Sequence, residues 1–392
     1  MKPLFVRLVS LSLLAAINSL FIYKYSARLT SLFLPISLLS FVLFIGFYWW
    51  LLNRTVKQDA LKSYLMLALI ALMSIPLLIL NPVLELKVDR WMMIQTFWDN
   101  FFSGSYPYAP RYTFYNQNVP APLPYYFLFT FPFYLVREIS LVTLFTLLLV
   151  VFLYQRATDR KIHLNRDIKP QAYFHATMFL LFLIVMPAFW WEVTTRSALL
   201  FNSLLILTFI CYWLNDALLL QRGSLWIYAV GFGMLCGTRS VMALPLFICL
   251  VYAVRESGQV RIYAGFLFVA AIVFILPFAL LYAFDPILFF QYNPLISQSL
   301  VLPYQWSVWL IIFCFFLLIF TTSFDRVIFF SGLILFAGAF LSLGYFSSQS
   351  GWNAAVFGSL CDISYFILSI PFFIASIYRE LDKRESRSLL SQ

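Results

Sequence analysis

The chain has 392 residues, of which 63% are hydrophobic, 20% aromatic and only 11% charged, and its formal net charge at pH 7 is +10. Soluble globular proteins carry about 25% charged residues. The composition therefore excludes a soluble enzyme, a disordered chain and a disulfide-stapled secreted domain. The apolar segments are long and lack the alternation of an outer-membrane β-barrel, so they indicate an all-α, polytopic membrane protein.

The first apolar segment, within residues 1–23, predicts a retained membrane span rather than a cleaved signal peptide, because a second span follows almost at once. Eleven further apolar segments follow in chain order. They lie near residues 31–52, 63–81, 123–155, 173–191, 197–216, 223–236, 240–254, 262–284, 305–323, 327–345 and 358–378. We therefore predict about 12 transmembrane helices, within a range of 11 to 13, in a single integral membrane domain covering 1–392.

The segment 123–155 sets this range, because its 33 residues exceed the ~20 that one crossing needs. The pair Arg137 and Glu138 marks a turn between two short spans in one interpretation. In the interpretation that we favour, a membrane-surface or re-entrant piece precedes a single crossing. Two crossings would place 82–122 on the same side as the cation-rich loop 155–169.

The distribution of lysine and arginine predicts the orientation. Cations concentrate in residues 54–62, 155–169 and 379–392, as the positive-inside rule expects of cytoplasmic segments. Both termini are then cytoplasmic, and the net charge needs no nucleic-acid partner. The chain divides into three N-terminal spans (1–81), an external loop of the catalytic type (82–122), the remaining spans (123–378) and a cytoplasmic tail (379–392).

The loop 82–122 is the longest polar segment, and it is too rich in aromatic residues for a disordered linker. Within it, apolar residues at 91, 94, 97, 98, 101 and 102 have the spacing of an amphipathic helix at the membrane interface. Gly104 ends this predicted helix, and a proline-stiffened, extended segment follows. Asp89 lies at the start of the predicted helix. It is either the N-cap of that helix or a general base at the mouth of a membrane cavity.

The spacing of Asp89, Trp98, Asp99, Gly104 and the following tyrosines, with the proline-rich return PAPLPYYFLFTFPFYL, resembles the first external loop of GT-C glycosyltransferases. The resemblance is closest to the mannosyl- and arabinosyltransferase-like branch, whose members take sugars from polyprenyl-phosphate donors. It covers about 55 residues. In that family the loop usually follows the first span, whereas here it follows the third. The resemblance implies a GT-C-like fold with Asp89 as the catalytic residue and Asp99 as a second acid.

Two further segments carry charge at predicted external span ends. Gly237-Thr238-Arg239 resembles a segment of the same superfamily in which the cation lies near the lipid phosphate, although Arg239 can also simply snorkel to the headgroups. Glu192 and Arg196 are four residues apart and would share a helix face, as a surface ion pair or as a second phosphate or sugar contact.

The remaining candidates support this site. Arg90 and Asp362 are supporting charges, and an acid at the depth of Asp362 needs a partner. Four aromatic side chains of the loop either stack on sugar faces or belong to the interfacial aromatic belt. They are Trp91, Trp98, Tyr106 and Tyr108.

The function predicted from these features is an inverting hexosyl- or pentosyltransferase at the non-cytoplasmic face of a bacterial inner membrane. Its partners are a polyprenyl-phosphate sugar donor, a lipid or glycan acceptor and membrane lipids, with no nucleic acid. The sequence assigns no cofactor and leaves open whether the reaction requires a divalent cation, Mg²⁺ or Mn²⁺. Two alternatives remain: a lipid-linked polysaccharide polymerase, ligase or flippase, and then a secondary transporter.

Overall fold

The computed structural model describes ten parts of the chain, and its helices are numbered within them. The described residues are 3–26, 46, 60–80, 90–111, 120–139, 141–152, 176–218, 222–299, 302–358 and 361–377. Almost all of the predicted span 31–52, the predicted cytoplasmic tail 379–392 and Asp89 lie outside them.

Every regular element within these parts is helical, as the composition predicts. The first half contains α1 (Pro3–Ser26), α2 (Ala60–Leu80), α3 (Arg90–Phe102), α4 (Pro124–Leu135), α5 (Leu141–Phe152), α6 (Ala176–Ile184), α7 (Pro187–Thr194) and α8 (Leu199–Leu218). The second half contains α9 (Arg222–Cys236), α10 (Ala243–Ser257), α11 (Val260–Phe284), α12 (Pro286–Gln291), α13 (Pro294–Ser299), α14 (Tyr304–Phe320), α15 (Phe324–Ser350), α16 (Trp352–Phe357) and α17 (Ile363–Ile377), whose first part is a 3₁₀ helix.

Four described helices are long and apolar enough to cross a membrane, which indicates a membrane protein. They are Leu4–Tyr25, Ser240–Ser257, Val260–Phe284 and Phe324–Ser350. A fifth span results if α7 and α8 count as one bent helix. Five further apolar helices are shorter, at 10–17 residues. The helical architecture is thus confirmed, with four to five candidate spans in the described part of the chain.

The helix α11 shows why the bilayer is the natural solvent for this chain. Its mean hydropathy is 2.7, yet most of its side chains are exposed, including Phe268 and Leu280. It packs mainly on α9, where Gly233 allows close approach, since a Cβ there would lie 2.4 Å from the carbonyl oxygen of Ala270. In water such an apolar surface would be an aggregation liability, whereas in a membrane it faces lipid.

The centre of the bundle is α15, which contacts α10, α14, α16 and the start of α17. Its buried residues include Phe329, Ile334 and Leu335, and Gly332 lets α17 approach closely through Phe372. Arg255 at the end of α10 donates a hydrogen bond to the carbonyl oxygen of Thr321 at 2.7 Å. This contact marks the end of α10 that lies opposite Arg239.

The long apolar segment 123–155 is broken at Arg137 and Glu138, as in the interpretation that places a turn there. The helix α4 ends at Leu135, Arg137 adopts a positive φ of 56°, and α5 begins at Leu141. A 12-residue helix such as α4 is about 18 Å long, too short to cross a bilayer core of ~30 Å by itself. Pro124 at the start of α4 fixes the backbone for helix initiation.

The chain also turns sharply between α7 and α8, whose axes are bent by 115°. Arg196 lies in the turn with a positive φ of 51°, which non-glycine residues rarely adopt. The turn is stabilised from within, because the backbone N–H of Ser197 donates to the carbonyl oxygen of Glu192 at 3.1 Å. Glu192 and Arg196 therefore do not share one continuous helix face, and the prediction that they do is wrong.

Candidate functional site

Arg90 begins α3 and connects the loop 82–122 to the start of α17. Its Nη2 forms an ion pair with the Asp362 carboxylate and donates to the Ser364 hydroxyl at 2.8 Å. Asp362 caps the 3₁₀ helix by accepting from the backbone N–H of Ser364 at 3.0 Å. An acid at the start of an apolar span needs a partner, and Arg90 is the partner of Asp362.

Arg239 is 3% exposed and lies between two aromatic rings. Its guanidinium carbon is 5.2 Å from the ring centre of Tyr126 and 5.5 Å from that of Tyr365. Nη1 donates to the Tyr365 hydroxyl at 3.1 Å, whereas Nε and Nη2 are buried without a hydrogen-bond partner. Two free donors on a desolvated cation suit an anionic ligand, since Arg binds phosphate through paired N–H groups.

The segment that follows the loop 82–122 holds Tyr126 against Arg239. The N–H groups of Leu123 and Tyr125 donate to the carbonyl oxygens of Thr238 and Gly237, each at 3.0 Å. A Cβ at Gly237 would lie 2.4 Å from the Tyr125 ring, so only glycine permits this approach. The segment before Arg239 and the loop return thus form one backbone-paired unit.

Glu192 lies on α7 and is fully buried. Its Oε2 accepts from the backbone N–H of Leu200 at 3.4 Å, at the N-terminus of α8, where a negative charge is favourable. The Ser197 side chain opposes the cost of burying this charge, and the charges of Arg90 and Arg239 contribute in the same direction.

Three of the predicted charged residues influence one side chain. Arg239 lies over the Tyr126 ring, and the charges of Arg90 and Glu192 also act on the Tyr126 hydroxyl. Asp362 joins this cluster through Arg90. We call this set, Arg90, Tyr126, Glu192, Arg239, Asp362 and Tyr365, the arginine cluster.

Arg196, predicted to bind the donor phosphate, makes a different set of contacts. Its Nε lies 3.4 Å from the Glu138 carboxylate, and it donates to the carbonyl oxygens of Thr194 at 3.1 Å and Leu78 at 3.0 Å. These contacts connect α2, the break after α4 and the turn after α7. They give Arg196 a structural role at that junction. Its guanidinium donates to backbone carbonyl oxygens and so stabilises the turn after α7.

Asp89, predicted as the catalytic residue, lies outside the described residues. Its sequence neighbour Arg90 is within the arginine cluster. Asp99, the second acid of the loop, accepts a hydrogen bond from the hydroxyl of Tyr134 at 2.5 Å. This bond connects α3 to α4, so Asp99 has a structural partner in the helix that follows the loop.

The four aromatic residues predicted to stack on sugars are all buried: Trp91, Trp98, Tyr106 and Tyr108. They pack with α3, α4 and the loop into an aromatic core. Trp98 lies 4.4 Å from Phe131 between ring centres, and Tyr108 packs edge-on against Phe97 while its hydroxyl donates to the carbonyl oxygen of Pro122. Packing occupies these rings, so they hold the loop together, a role that differs from both sugar stacking and the interfacial belt.

The Tyr106 hydroxyl is buried without a hydrogen-bond partner, and so is the indole N–H of Trp98. Burial and the nearby charge of Asp285 raise the pKa of Tyr106 well above its usual value, so the hydroxyl stays protonated. The helix α3 itself is confirmed, with Gly104 in the left-handed region just after it. Residues 103–109 form turns, and the prediction of an extended segment there is wrong.

Sequence reasoning did not find Tyr126, Tyr365, Ser364 and Glu138 as partners of the charged candidates. The signal available for Tyr365 and Ser364 was their position directly after Asp362 in CDISY. Tyr126 lies in the proline-rich return that the resemblance includes, but nothing in that pattern pairs it with a residue more than a hundred positions later.

Within the described parts of the chain, no three His, Cys, Asp or Glu side chains come together as metal ligands. No protein-family model matches the chain, and no curated protein and no solved structure matches it.

Proposed function

We propose that the protein is an inverting GT-C-type glycosyltransferase that moves a sugar from a polyprenyl-phosphate donor to a lipid or glycan acceptor. The observation that carries this proposal is Arg239, a buried cation between two tyrosines with two unpartnered N–H donors. A polyprenyl phosphate is an anion attached to a long apolar chain, and a bundle of apolar helices with a desolvated arginine suits both halves.

The proposed mechanism needs few groups. The leaving phosphate is already anionic, so the protein has to stabilise its developing charge and activate the acceptor hydroxyl. Arg239, assisted by Arg90, stabilises the developing charge of the phosphate in a site of low dielectric constant. Asp89 activates the acceptor hydroxyl as the general base. A mechanism with one carboxylate and no covalent intermediate implies inversion at the anomeric carbon.

The full architecture is part of the same proposal: about 12 transmembrane helices, a GT-C-like arrangement and both termini in the cytoplasm of a bacterial cell. Two observations support the predicted orientation. Arg90, Arg239 and Asp362, all predicted to be external, lie in one cluster. Arg255 follows the eighth predicted span, 240–254, which ends on the cytoplasmic side in the twelve-span prediction, and it lies at the opposite end of α10 against Thr321.

The test uses the full-length protein in lipid nanodiscs with a panel of polyprenyl-phosphate-linked hexoses and pentoses, and it measures released polyprenyl phosphate. The Asp89→Asn variant should lower turnover by about 10²–10⁴, the usual contribution of a general base. Asp99→Asn is the matched control in the same loop and should retain most turnover. Thermal unfolding of each variant verifies folding. Full turnover by a folded Asp89→Asn variant, or no turnover of any donor by the wild type, would contradict the proposal.

The main alternative, a polymerase, ligase or flippase for lipid-linked glycans, shares the phosphate chemistry of Arg239. It requires external arginines without an essential carboxylate at position 89. The same panel separates the two, because the alternative predicts loss of function in Arg239→Gln but not in Asp89→Asn.

A further inference from the structure

A single side chain joins the two backbone segments that bring Arg239 and Tyr126 together. Oε1 of Gln298 accepts a hydrogen bond from the backbone N–H of Ser240 at 2.7 Å, and Nε2 donates to the carbonyl oxygen of Ala121 at 2.9 Å. Ser240 directly follows Arg239 in the chain, and Ala121 lies shortly before Tyr126. Gln298 therefore places one half of its amide on each side of the contact between the cation and the ring.

The bond to Ser240 completes the fixation of the Arg239 backbone. The peptide group before Arg239 is held because the carbonyl oxygen of Thr238 accepts from the N–H of Leu123 at 3.0 Å. The peptide group after Arg239 is held because its N–H donates to Gln298. Peptide groups are planar, and the Cα of Arg239 lies between these two. Together they fix the direction in which the arginine side chain leaves the backbone.

Gln298 belongs to α13, which lies in the segment between α11 and α14. The side chain of Asn293 defines the start of this helix by accepting from the backbone N–H of Leu295 at 2.9 Å. Leu295 and Ile296 expose apolar side chains on the same helix, and at a membrane surface such side chains insert into lipid. The helix is thus attached both to the bilayer and, through Gln298, to the backbone beside Arg239.

We propose that Gln298 is a positioning residue of the anion site, which holds Arg239 in the orientation in which Nε and Nη2 bind the lipid phosphate. This inference rests on the proposed function, which assigns the phosphate to Arg239. It follows from the shape of the guanidinium, because paired N–H donors bind a phosphate only when their plane is correctly oriented. Nε and Nη2 have no protein partner that orients them, so the backbone and Tyr365 supply that orientation.

The first experiment measures binding of decaprenyl phosphate to the full-length protein in nanodiscs. Gln298→Ala should weaken binding about fivefold, the factor that corresponds to the net loss of one typical hydrogen bond. Gln291→Ala is the matched control in the same segment, since Gln291 is exposed and its Nε2 donates to the hydroxyl of its neighbour Tyr292. The control should leave the affinity unchanged, and thermal unfolding verifies that both variants are folded.

The second experiment separates positioning of the cation from a general effect on the fold. The Arg239→Lys variant keeps the charge, but the donors of a lysine ammonium rotate and need no fixed plane. In that background Gln298→Ala should weaken binding less than about twofold, because the two substitutions act on one interaction and are not additive. A purely structural role of Gln298 predicts the same factor in both backgrounds.

The third experiment restores the affinity by another route. Proline suits position 240, because this residue begins the short 3₁₀ helix Ser240–Met242 and a first helical position needs no N–H. A proline also restricts the preceding residue to the extended region, where Arg239 already lies with φ −153° and ψ 140°. Ser240→Pro combined with Gln298→Ala should therefore bring the affinity back to within about twofold of wild type.

Three results would overturn the inference: wild-type affinity in a folded Gln298→Ala variant, equal losses from Gln298→Ala in the wild-type and Arg239→Lys backgrounds, or no recovery when Ser240→Pro is added to a folded Gln298→Ala variant. Failure of the proposed function gives a different result. In that case Arg239→Lys alone leaves the affinity for decaprenyl phosphate unchanged, and the phosphate site itself is refuted.

Discussion

Arg239 donates a hydrogen bond to the hydroxyl of Tyr365, and its guanidinium also lies over the ring of the same tyrosine. One neighbour thus fixes both the direction and the plane of the cation. The remaining donors, Nε and Nη2, are held in place without a protein partner. A cation oriented in advance binds an anion at a lower entropic cost than one that has to be ordered on binding.

The first prediction concerns this contact. Arg239→Lys should weaken binding of decaprenyl phosphate about tenfold or more, because lysine keeps the charge but lacks the planar set of donors. Tyr365→Phe retains the ring and removes only the hydroxyl acceptor, so its effect should be smaller, about 2–10-fold. Both affinities are measured by titration in nanodiscs. A larger effect of Tyr365→Phe than of Arg239→Lys would show that the cation does not contact the phosphate.

The second prediction concerns the ion pair between Arg90 and Asp362. The Asp362 side chain is 35% exposed, so water screens the pair in part. Arg90→Gln and Asp362→Asn should each lower the unfolding midpoint, and the double variant should lose less than the sum. The expected coupling is about 0.5–3 kcal/mol, typical of residues in contact. The free energies of unfolding are measured by reversible unfolding in mixed micelles. If the loss in the double variant equals the sum of the two single losses, the ion pair contributes nothing to stability.

The third prediction concerns Gly237. A methyl group there would meet the Tyr125 ring at 2.4 Å, so Gly237→Ala should destabilise the protein by about 1–3 kcal/mol and separate the loop return from Thr238. Gly344→Ala is the matched control, since nothing lies within 4 Å of a Cβ at that exposed helical position. It should be neutral or stabilising by about 0.5–1 kcal/mol. Similar unfolding midpoints for the two variants would contradict the close approach.

The fourth prediction concerns Asp99 and Tyr134. Because their hydrogen bond connects α3 and α4, Asp99→Asn and Tyr134→Phe should lower the unfolding midpoint by similar amounts, and turnover of folded protein should remain within a fewfold of wild type. Differential scanning fluorimetry and the transfer assay measure the two quantities. A loss of turnover beyond about 10²-fold in Asp99→Asn alone would instead assign that residue a catalytic role.

The helical architecture follows from the sequence because the apolar segments are long and charges are scarce. The helix Arg90–Phe102 was also predictable, since its apolar spacing is regular and Gly104 follows it. The position of one chain reversal was also predictable, because the break between α7 and α8 lies between the predicted spans 173–191 and 197–216. The sequence does not reveal the backbone conformation of that turn, since Arg196 has a positive φ that arginine seldom adopts.

The candidate site was predictable in its charges but not in their partners. A charge in an apolar chain stands out by itself, which is how Arg239, Glu192 and Asp362 were found. Their partners depend on which helices pack together, and 126 positions separate Arg239 from Tyr365. The aromatic residues of the loop could not be assigned at all from sequence, because packing and sugar stacking require the same side chains.

The contact between Arg90 and Asp362 joins residues that are 272 positions apart. Asp362 belongs to the beginning of the final described helix, so it leaves the ribosome after almost all of the other helices. The arginine cluster is therefore assembled last during biosynthesis. A partly synthesised chain already in the bilayer has Arg90 and Arg239 but not the carboxylate and the tyrosine that orient them. It follows that ribosome-stalled chains ending before residue 361 should insert into membranes yet fail to bind the lipid phosphate.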